Sequence, residues 1–212
     1  QCKELFKINS EIRDFDIIIE KLQKYPPSGQ GDNIIADLKK TRLAKLERAK
    51  TIAVPLKSID TATILDELGV TEKELQKRFL KIVSRLISTI DSIYPVVLSN
   101  PQELEKMHDL RIACKKLRYM LELLPNNNKL AVQTRESLKK IQDNLGSIHD
   151  SDFTIGYLKS MPQSSKQIQE IIDKENDHRR VQFERFLNYS KRRLGISPDS
   201  FLFKLRSINL AS

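Results

Sequence analysis

Residues 71–98 decide the fold class, and they read TEKELQKRFLKIVSRLISTIDSIYPVVL. Thr71 and Glu74 have the spacing of a capping box, in which each side chain bonds the other residue's backbone at a helix N-terminus. Apolar residues then recur at the period of an α-helix with a buried face. These residues are Leu75, Phe79, Ile82, Val83, Leu86, Ile87, Ile90 and Ile93. The stretch therefore predicts a long helix that ends near Leu98.

Turn signals divide the rest of the chain's second half into further helices. Pro101 suits the first position of a helix that runs to about Leu124, before a turn rich in Pro and Asn. A third helix is predicted over 130–159 and a fourth over 166–194, with a short helix after residue 197. Because long helices with short connections form antiparallel bundles, the sequence predicts an all-α protein with no β-sheet.

Two early segments resemble two later ones in order and spacing. Residues 12–16 parallel 148–152, and residues 42–48 parallel 179–185, with a Pro-containing break between the two members in each half. A separation of about 136 residues is longer than the repeat of a solenoid and suits a duplicated bundle. We therefore interpret the chain as parts of two pseudo-symmetric four-helix bundles.

This interpretation predicts three parts along the chain. Residues 1–52 form the second half of the first bundle, and 53–70 are a crossover linker. Residues 71–212 form the second four-helix bundle together with the short C-terminal helix. The first half of the first bundle is then expected to lie upstream of Gln1.

The charge balance points to a negatively charged partner. The 212 residues include 37 Lys and Arg against 28 Asp and Glu, so the net charge is +9. Nucleic acid, an anionic membrane and polyphosphate are the partner classes that such an excess suits, and solubility alone is the alternative. No run of about 18 apolar residues is evident, so no transmembrane helix and no membrane partner are predicted.

Several other site classes are not expected. Cys2 and Cys114 have no ligand-type spacing, and we interpret them as free thiols in a reducing cytoplasm. Three histidines, far apart in the sequence, do not predict a zinc site, and no cofactor is expected. Because a Gly-rich phosphate loop and a nucleophile elbow are both missing from the sequence, we expect no enzymatic activity.

The predicted helix after residue 101 has two stripes. At about 100° per residue, one stripe is apolar and the other, within an arc of roughly 80°, is cationic. The apolar stripe contains Leu110, Cys114, Leu117, Leu121 and Leu124, and the cationic stripe contains His108, Arg111, Lys115 and Arg118. Like charges at this spacing repel each other, so either a periodic anion binds the row or acids neutralise it. Asp109, Glu105 and acids on other helices are candidates for the second alternative.

Basic faces recur on two other predicted helices. On the fourth helix a polar stripe contains His178, Gln182, Arg185, Tyr189 and Arg192. Segment 39–50 contains Lys39, Lys40, Arg42, Lys45, Arg48 and Lys50 against Glu47 alone. Either run taken singly is compatible with a solvated helix face, but several in one bundle favour an anion-binding surface.

These motifs resemble the CHAD domain family (conserved histidine α-helical domain). The family has a His-x-x-Arg helix that continues into a basic cluster, and His108, Arg111, Lys115, Lys116 and Arg118 match it. It also has a Leu-Gly-x-x-Arg-Asp-x-Asp signature, which residues 145–152 match with His149 in place of Arg. Arg13 lies in an upstream copy that keeps Arg-Asp-x-Asp and lacks Leu-Gly. The resemblance covers about one and a half repeats where the family has two.

The resemblance implies two bundles with basic residues that face a shared cleft, and non-catalytic binding of inorganic polyphosphate. The residues expected to bind polyphosphate are His108, Arg111, Lys115, Lys116, Arg118, Arg13, Arg42, Lys45, Arg48, His149, His178, Arg179, Arg185 and Arg192. Two alternatives stay open: a helical protein that binds nucleic acid, and an interaction module whose basic faces meet an acidic protein.

Overall fold

The computed structural model describes residues 1–25, 29–54, 71–125, 128–161, 166–194 and 204. The secondary structure of these residues is helical and contains no strand, which confirms the predicted all-α class. The helices are α1 (Cys2–Leu22), α2 (Gly29–Ala53), α3 (Glu72–Ser99), α4 (Leu104–Glu122), α5 (Lys129–Lys159) and α6 (Lys166–Ser190). The short helix predicted after residue 197 falls outside the described residues except for Lys204.

The capping box predicted for α3 is present. Thr71 Oγ1 accepts a hydrogen bond from the Glu74 backbone N–H at 3.3 Å, and the Glu74 carboxylate accepts one from Thr71 N–H at 3.0 Å. Because these bonds favour the ionised carboxylate, they hold the pKa of Glu74 below its ordinary value. The helix then runs to Ser99, one residue past the predicted end.

The predicted start of α4 is wrong by one turn, because a local side-chain contact replaces the first turn of the helix. Asn100 accepts a hydrogen bond from Gln102 N–H at 3.0 Å and donates one to the Glu103 carboxylate at 3.1 Å. Asn side chains favour such turns over helix. Pro101 therefore lies in a turn, and α4 begins at Leu104.

Packing divides the chain into two compact units. The first unit contains Gln1–Gly69 and Asp150–His178, and the second contains Val70–His149 and Arg179–Ser212. Residues 150–178 thus pack with α1 and α2. The sequence, by contrast, predicts that they belong to the second bundle. A compact unit need not coincide with a sequence repeat, so the predicted duplication stays a prediction.

The second unit has the larger hydrophobic core. Helices α3, α4, α5 and α6 contribute side chains that are almost fully buried. They include Ile90, Leu110, Leu117, Leu138, Ile141 and Phe186. Tyr94 packs edge-on against Phe186 and donates a hydrogen bond to Ser190 Oγ at 3.1 Å, so its hydroxyl is satisfied inside this core.

The first unit contains a buried polar network beside its apolar clusters. Glu175 is 5% exposed and pairs with the ammonium group of Lys21. Ser151 Oγ donates to the same carboxylate at 2.9 Å, and Tyr25 OH donates to it at 3.2 Å. Burial, followed by the charge and hydrogen bond of Glu175, raises the pKa of Tyr25 to about 12. The network ties α1 to the segments of α5 and α6 in this unit.

Among the described residues, α3 is the one helix long and apolar enough to cross a membrane. A core helix of a soluble protein passes the same test, so the observation is weak evidence. The face of α3 formed by Val83, Ile87, Ile90, Tyr94 and Val97 is buried in the core of the second unit. The expectation of no membrane partner stays a prediction.

Candidate functional site: the α4/α5 seam

Two stripes face each other where α4 packs against α5 in the second unit. On α4 the stripe contains His108, Arg111, Lys115, Arg118 and Glu122, and on α5 it contains Arg135, Lys139, Gln142, Gly146 and His149. Both stripes have the alternating three- and four-residue spacing that keeps side chains on one helix face. The contacts described below pair residues 108, 111 and 118 with 149, 146 and 142, so the helices run antiparallel. We call this surface the α4/α5 seam.

The core stripe of α4 is separate from the seam, as the sequence predicts. Leu110, Cys114, Leu117 and Leu121 are fully buried, and Leu124 is partly buried just beyond the helix end. Burial raises the pKa of the Cys114 thiol to about 12, because the thiolate would have no solvation in the core. The cysteine is therefore a core residue, and the seam residues can change without altering the core stripe.

Arg111 is the most unusual side chain of the seam. Its Nε is buried and has no hydrogen-bond partner among the described residues. It lies 3.6 Å from the position that a Cβ would take on Gly146. A buried donor without a partner costs free energy, on the order of 1–3 kcal/mol, unless a ligand or water satisfies it. The arginine of the His-x-x-Arg motif thus packs directly on the glycine of the Leu-Gly signature.

The same two motifs bring the histidines together. The rings of His108 and His149 have their centroids 5.5 Å apart and are inclined by 33°. Partial burial of the ring, then the charges of His149 and Arg111, lower the pKa of His108, while Asp109 opposes the shift. Without an anion, His108 therefore resists protonation, and a bound anion would favour it.

Arg118 is partly engaged with neighbours. It donates to Gln142 Oε1 at 3.2 Å and pairs with Glu122 at 2.5 Å. Its guanidinium also lies 4.5 Å from the ring centroid of Tyr119. Since Glu122 is itself exposed, this pair is a surface contact, and 19% of the Arg118 side chain stays accessible.

Beyond Arg118 the seam opens into a cavity of about 320 Å³. Its lining residues are Arg118, Glu122, Val132, Arg135, Glu136 and Lys139. Sequence reasoning missed Arg135 and Lys139, although they have the same helical spacing to Gln142, Gly146 and His149 that identified the stripe on α4. With Arg111 and Lys115, the seam has five cations and two carboxylates, a balance of +3.

Lys115 and Lys116 lie on different surfaces of α4. Helical spacing puts Lys115 on the seam stripe, about 100° round the helix from Lys116, and its ammonium is 5.7 Å from the ring centroid of Tyr119. Lys116 instead lines a groove between α3 and α4. The structure therefore separates Lys116 from the seam residues with which the sequence motif grouped it.

The basic row of α2 faces an acidic row on α1 in the first unit. Arg42 pairs with Asp16, Lys45 pairs with Glu11 at 2.5 Å, and Arg48 pairs with Glu4 at 2.6 Å. The Lys45 ammonium lowers the pKa of Glu11, and hydrogen bonding to Asp16 raises the pKa of Arg42. These three residues thus have partners within the protein.

The remaining predicted residues are Arg13, His178, Arg179, Arg185 and Arg192. Arg13 is exposed on α1, and His178 is exposed on the α6 segment of the first unit. Arg179 donates to the Pro101 carbonyl at 2.8 Å, which ties α6 to the turn before α4. Arg185 on α6 and Arg192 in the turn after it are exposed. The structure does not test whether any of them binds an anion.

Metal coordination has no candidate in the part of the chain that the structure describes. No three His, Cys, Asp or Glu side chains there converge closely enough to hold an ion. The charge of Arg111 acts on His108 and would oppose a bound metal ion there. The Arg and Lys side chains of the seam donate hydrogen bonds without accepting them.

An all-helical fold whose His-x-x-Arg helix packs on a Leu-Gly helix defines the class of this domain. The chain belongs to the CHAD domain family, whose family model matches residues 1–159 of the 212. The match includes both helices of the seam and ends where α5 ends. The comparisons with curated proteins and with solved structures find no match.

Proposed function

We propose that this protein binds inorganic polyphosphate at the α4/α5 seam without catalysing a reaction. The observation that carries the proposal is the buried Nε of Arg111, which has no hydrogen-bond partner among the described residues and lies beside a cluster of cations and two histidines. A phosphate oxygen is a suitable acceptor for a guanidinium group, because the planar fork of Arg matches phosphate geometry.

The dimensions and charge of the seam favour a chain-like anion over a single phosphate. From residue 108 to residue 118 the helix rises about 15 Å, and the stripe of α5 from 149 to 135 rises about 21 Å. Cations recur along this length, so a polymer with one charge per phosphate neutralises several of them together. Release of counterions from the polymer would supply much of the binding free energy.

Non-catalytic binding is supported by the chemistry of the seam side chains. They include cations, one neutral amide, two histidines and the carboxylates of Glu122 and Glu136, and the nearby thiol of Cys114 is buried with a raised pKa. We also propose a reducing cytoplasm as the location, since both cysteines are free thiols. Nucleic acid stays the alternative ligand: it needs exposed aromatic rings for stacking, and Tyr119 is such a ring beside the seam.

The test compares two triple variants of equal charge by titration calorimetry with polyphosphate. Arg111, Lys115 and Arg118→Ala should weaken binding on the order of 100-fold or more and should flatten the salt dependence, because three phosphate contacts are lost. Lys73, Lys77 and Lys81→Ala remove the same charge from an exposed face of α3 and should have a small effect. Equal losses from both triples would show that only net charge matters.

The same titrations distinguish the two ligands. Single- and double-stranded DNA, matched to polyphosphate in total charge, compete for the wild-type protein. Polyphosphate should displace both at lower concentration, since the seam neutralises phosphates and offers few rings to bases. Tighter binding of single-stranded DNA, with loss on Tyr119→Ala, would favour the nucleic-acid alternative.

A further inference from the structure

Helix α3 has a second apolar stripe that the core covers only in part. Phe79, Leu86 and Ile93 of this stripe pack against the core, whereas Leu75, Ile82 and Val96 stay exposed. The core stripe (Val83, Ile87, Ile90, Tyr94 and Val97) is buried. The second stripe contains Leu75, Phe79, Ile82, Leu86, Thr89, Ile93 and Val96, which lie about 90° round the helix from the first. Leu75 is 55% exposed, Ile82 45% and Val96 38%. This second stripe explains why α3 is apolar enough to resemble a membrane-crossing helix.

The second stripe borders a groove between α3 and α4. The groove has a volume of about 660 Å³ and lies wholly within the second unit. Its apolar lining includes Ile82, Leu86 and Ile93 from α3, and Ile112, Tyr119 and Met120 from α4. One cation borders it on each helix, Arg85 on α3 and Lys116 on α4, and Asp109 lies on the α4 side as well. The groove lining is therefore mainly apolar, and its charged residues are two cations and one carboxylate.

We propose that the α3/α4 groove binds an amphipathic helix of a partner protein, whose apolar stripe is flanked by acidic residues. The spacing of the second stripe alternates four and three residues from 75 to 96, which is the heptad pattern of a helix that receives another helix. That stripe rises about 31 Å, enough for a partner helix of about 21 residues. Arg85 and Lys116 would pair with acids on the two sides of its apolar stripe.

Two other occupants fit the groove less well. A second copy of this chain would bring the same cations opposite each other, and the net charge of +9 adds repulsion. A lipid surface meets a convex apolar face, whereas this lining is concave between two helices. The proposal goes beyond polyphosphate binding and does not depend on it. Lys116 is the one residue of the groove lining that is also among the residues expected to bind polyphosphate.

The test uses a fluorescent peptide of three heptads with Leu at the two core positions and Glu at the flanking positions. A peptide with Lys in place of Glu is the charge control. Fluorescence anisotropy measures binding of each to the full chain. The acidic peptide should bind at least tenfold more tightly than the basic one, because only it complements Arg85 and Lys116.

Matched variants locate the site. Ile82→Ser and Arg85→Glu should each weaken binding of the acidic peptide at least tenfold. Leu43→Ser changes a hydrophobic residue that is 57% exposed in the first unit, and Lys81→Glu makes the same charge change on α3 outside the groove lining. Neither control should change the affinity more than about twofold. Circular dichroism confirms that all four variants fold, and polyphosphate affinity should be unchanged by Ile82→Ser.

Each remaining outcome overturns the proposal. If the groove variants bind the peptide as tightly as their controls, the contact is not at the groove. If the protein binds vesicles of anionic lipid through Ile82 but does not bind the peptide, the surface faces a membrane. If sedimentation shows a dimer that Ile82→Ser dissociates, a second copy fills the groove.

Discussion

The α1/α2 helix pair and the α4/α5 seam each have a row of three Lys or Arg at helical spacing, yet the two rows have different surroundings. On α2 the row meets Asp16, Glu11 and Glu4 of α1, one acid for each cation. On α4, neither Arg111 nor Lys115 forms a salt bridge within the described residues, and Arg118 pairs with an exposed glutamate. A basic helix face is therefore a better candidate for a binding site when acids on the helix opposite do not pair with each of its cations.

The first prediction, which has the largest expected effect, concerns the buried acid of the first unit. Glu175→Leu removes the partner of Lys21 and leaves a buried ammonium group unpaired. The free energy of unfolding should fall by about 3–5 kcal/mol, as measured by urea denaturation. Adding Lys21→Met should recover most of this loss, because no unpaired charge then remains buried.

The control for that prediction lies on the exposed side of the same unit. Asp16→Asn breaks the pair with Arg42, which is solvent-exposed, and should change stability little. A loss from Asp16→Asn as large as that from Glu175→Leu would contradict the view that the α1/α2 pairs merely neutralise charge.

The second prediction is that the basic row of α2 can be made to bind polyphosphate as the α4/α5 seam is proposed to do. In a background with Arg111, Lys115 and Arg118→Ala, the changes Glu4→Gln, Glu11→Gln and Asp16→Asn leave the basic row of α2 without acids. Polyphosphate affinity should then rise on the order of tenfold, with a steeper salt dependence, because three cations become available to phosphates. Titration calorimetry at two salt concentrations measures both changes. An unchanged affinity would mean that the row is inaccessible to the polymer even without its acids.

The third prediction concerns the pH dependence of binding at the seam. Bound phosphate should raise the pKa of His108 above its lowered value in the free protein, so protons are taken up on binding. Polyphosphate affinity should therefore increase as the pH falls from 7.5, by roughly threefold at pH 6. The increase should level off below the pKa of His108 in the free protein. His108→Gln should flatten this profile, and an equally steep profile in that variant would assign the effect to another group.

The smallest expected effect concerns the glycine beside Arg111. A methyl group on Gly146 meets Arg111 Nε at 3.6 Å, an ordinary contact distance. Gly146→Ala should therefore stabilise α5 by about 0.5–1 kcal/mol through its helix propensity and leave polyphosphate affinity nearly unchanged. Gly146→Met places a long side chain against the guanidinium and should weaken binding. Thermal unfolding and calorimetry on both variants check these outcomes.

The sequence correctly predicts features that depend on a single helix, such as its buried face and its N-terminal cap. Leu110, Cys114 and Leu117 are buried as expected, because the apolar period of α4 fixes which face meets the core. The capping box at Thr71 forms for the same local reason. The start of α4 was misplaced because Asn100 makes a side-chain turn that competes with the helix.

Contacts between two helices could not be predicted from the sequence of either helix alone. The acids that neutralise α2 lie 26 to 44 residues away from their cations, and no local pattern pairs them. The packing of Arg111 on Gly146 likewise requires the register of α4 against α5. Arg135 and Lys139 were within reach of sequence reasoning, since their spacing to His149 is as regular as that of the stripe on α4.

Helix α4 uses three faces at once: one for the core, one for the seam and one for the groove beside α3. Inserting a single residue after Leu110 would rotate every later side chain by about 100°. The core stripe, the seam row and the groove lining would then all be misplaced together. The length of α4 is consequently far less tolerant of change than any one of its surface residues, and insertions or deletions there should be the most damaging edits to this protein.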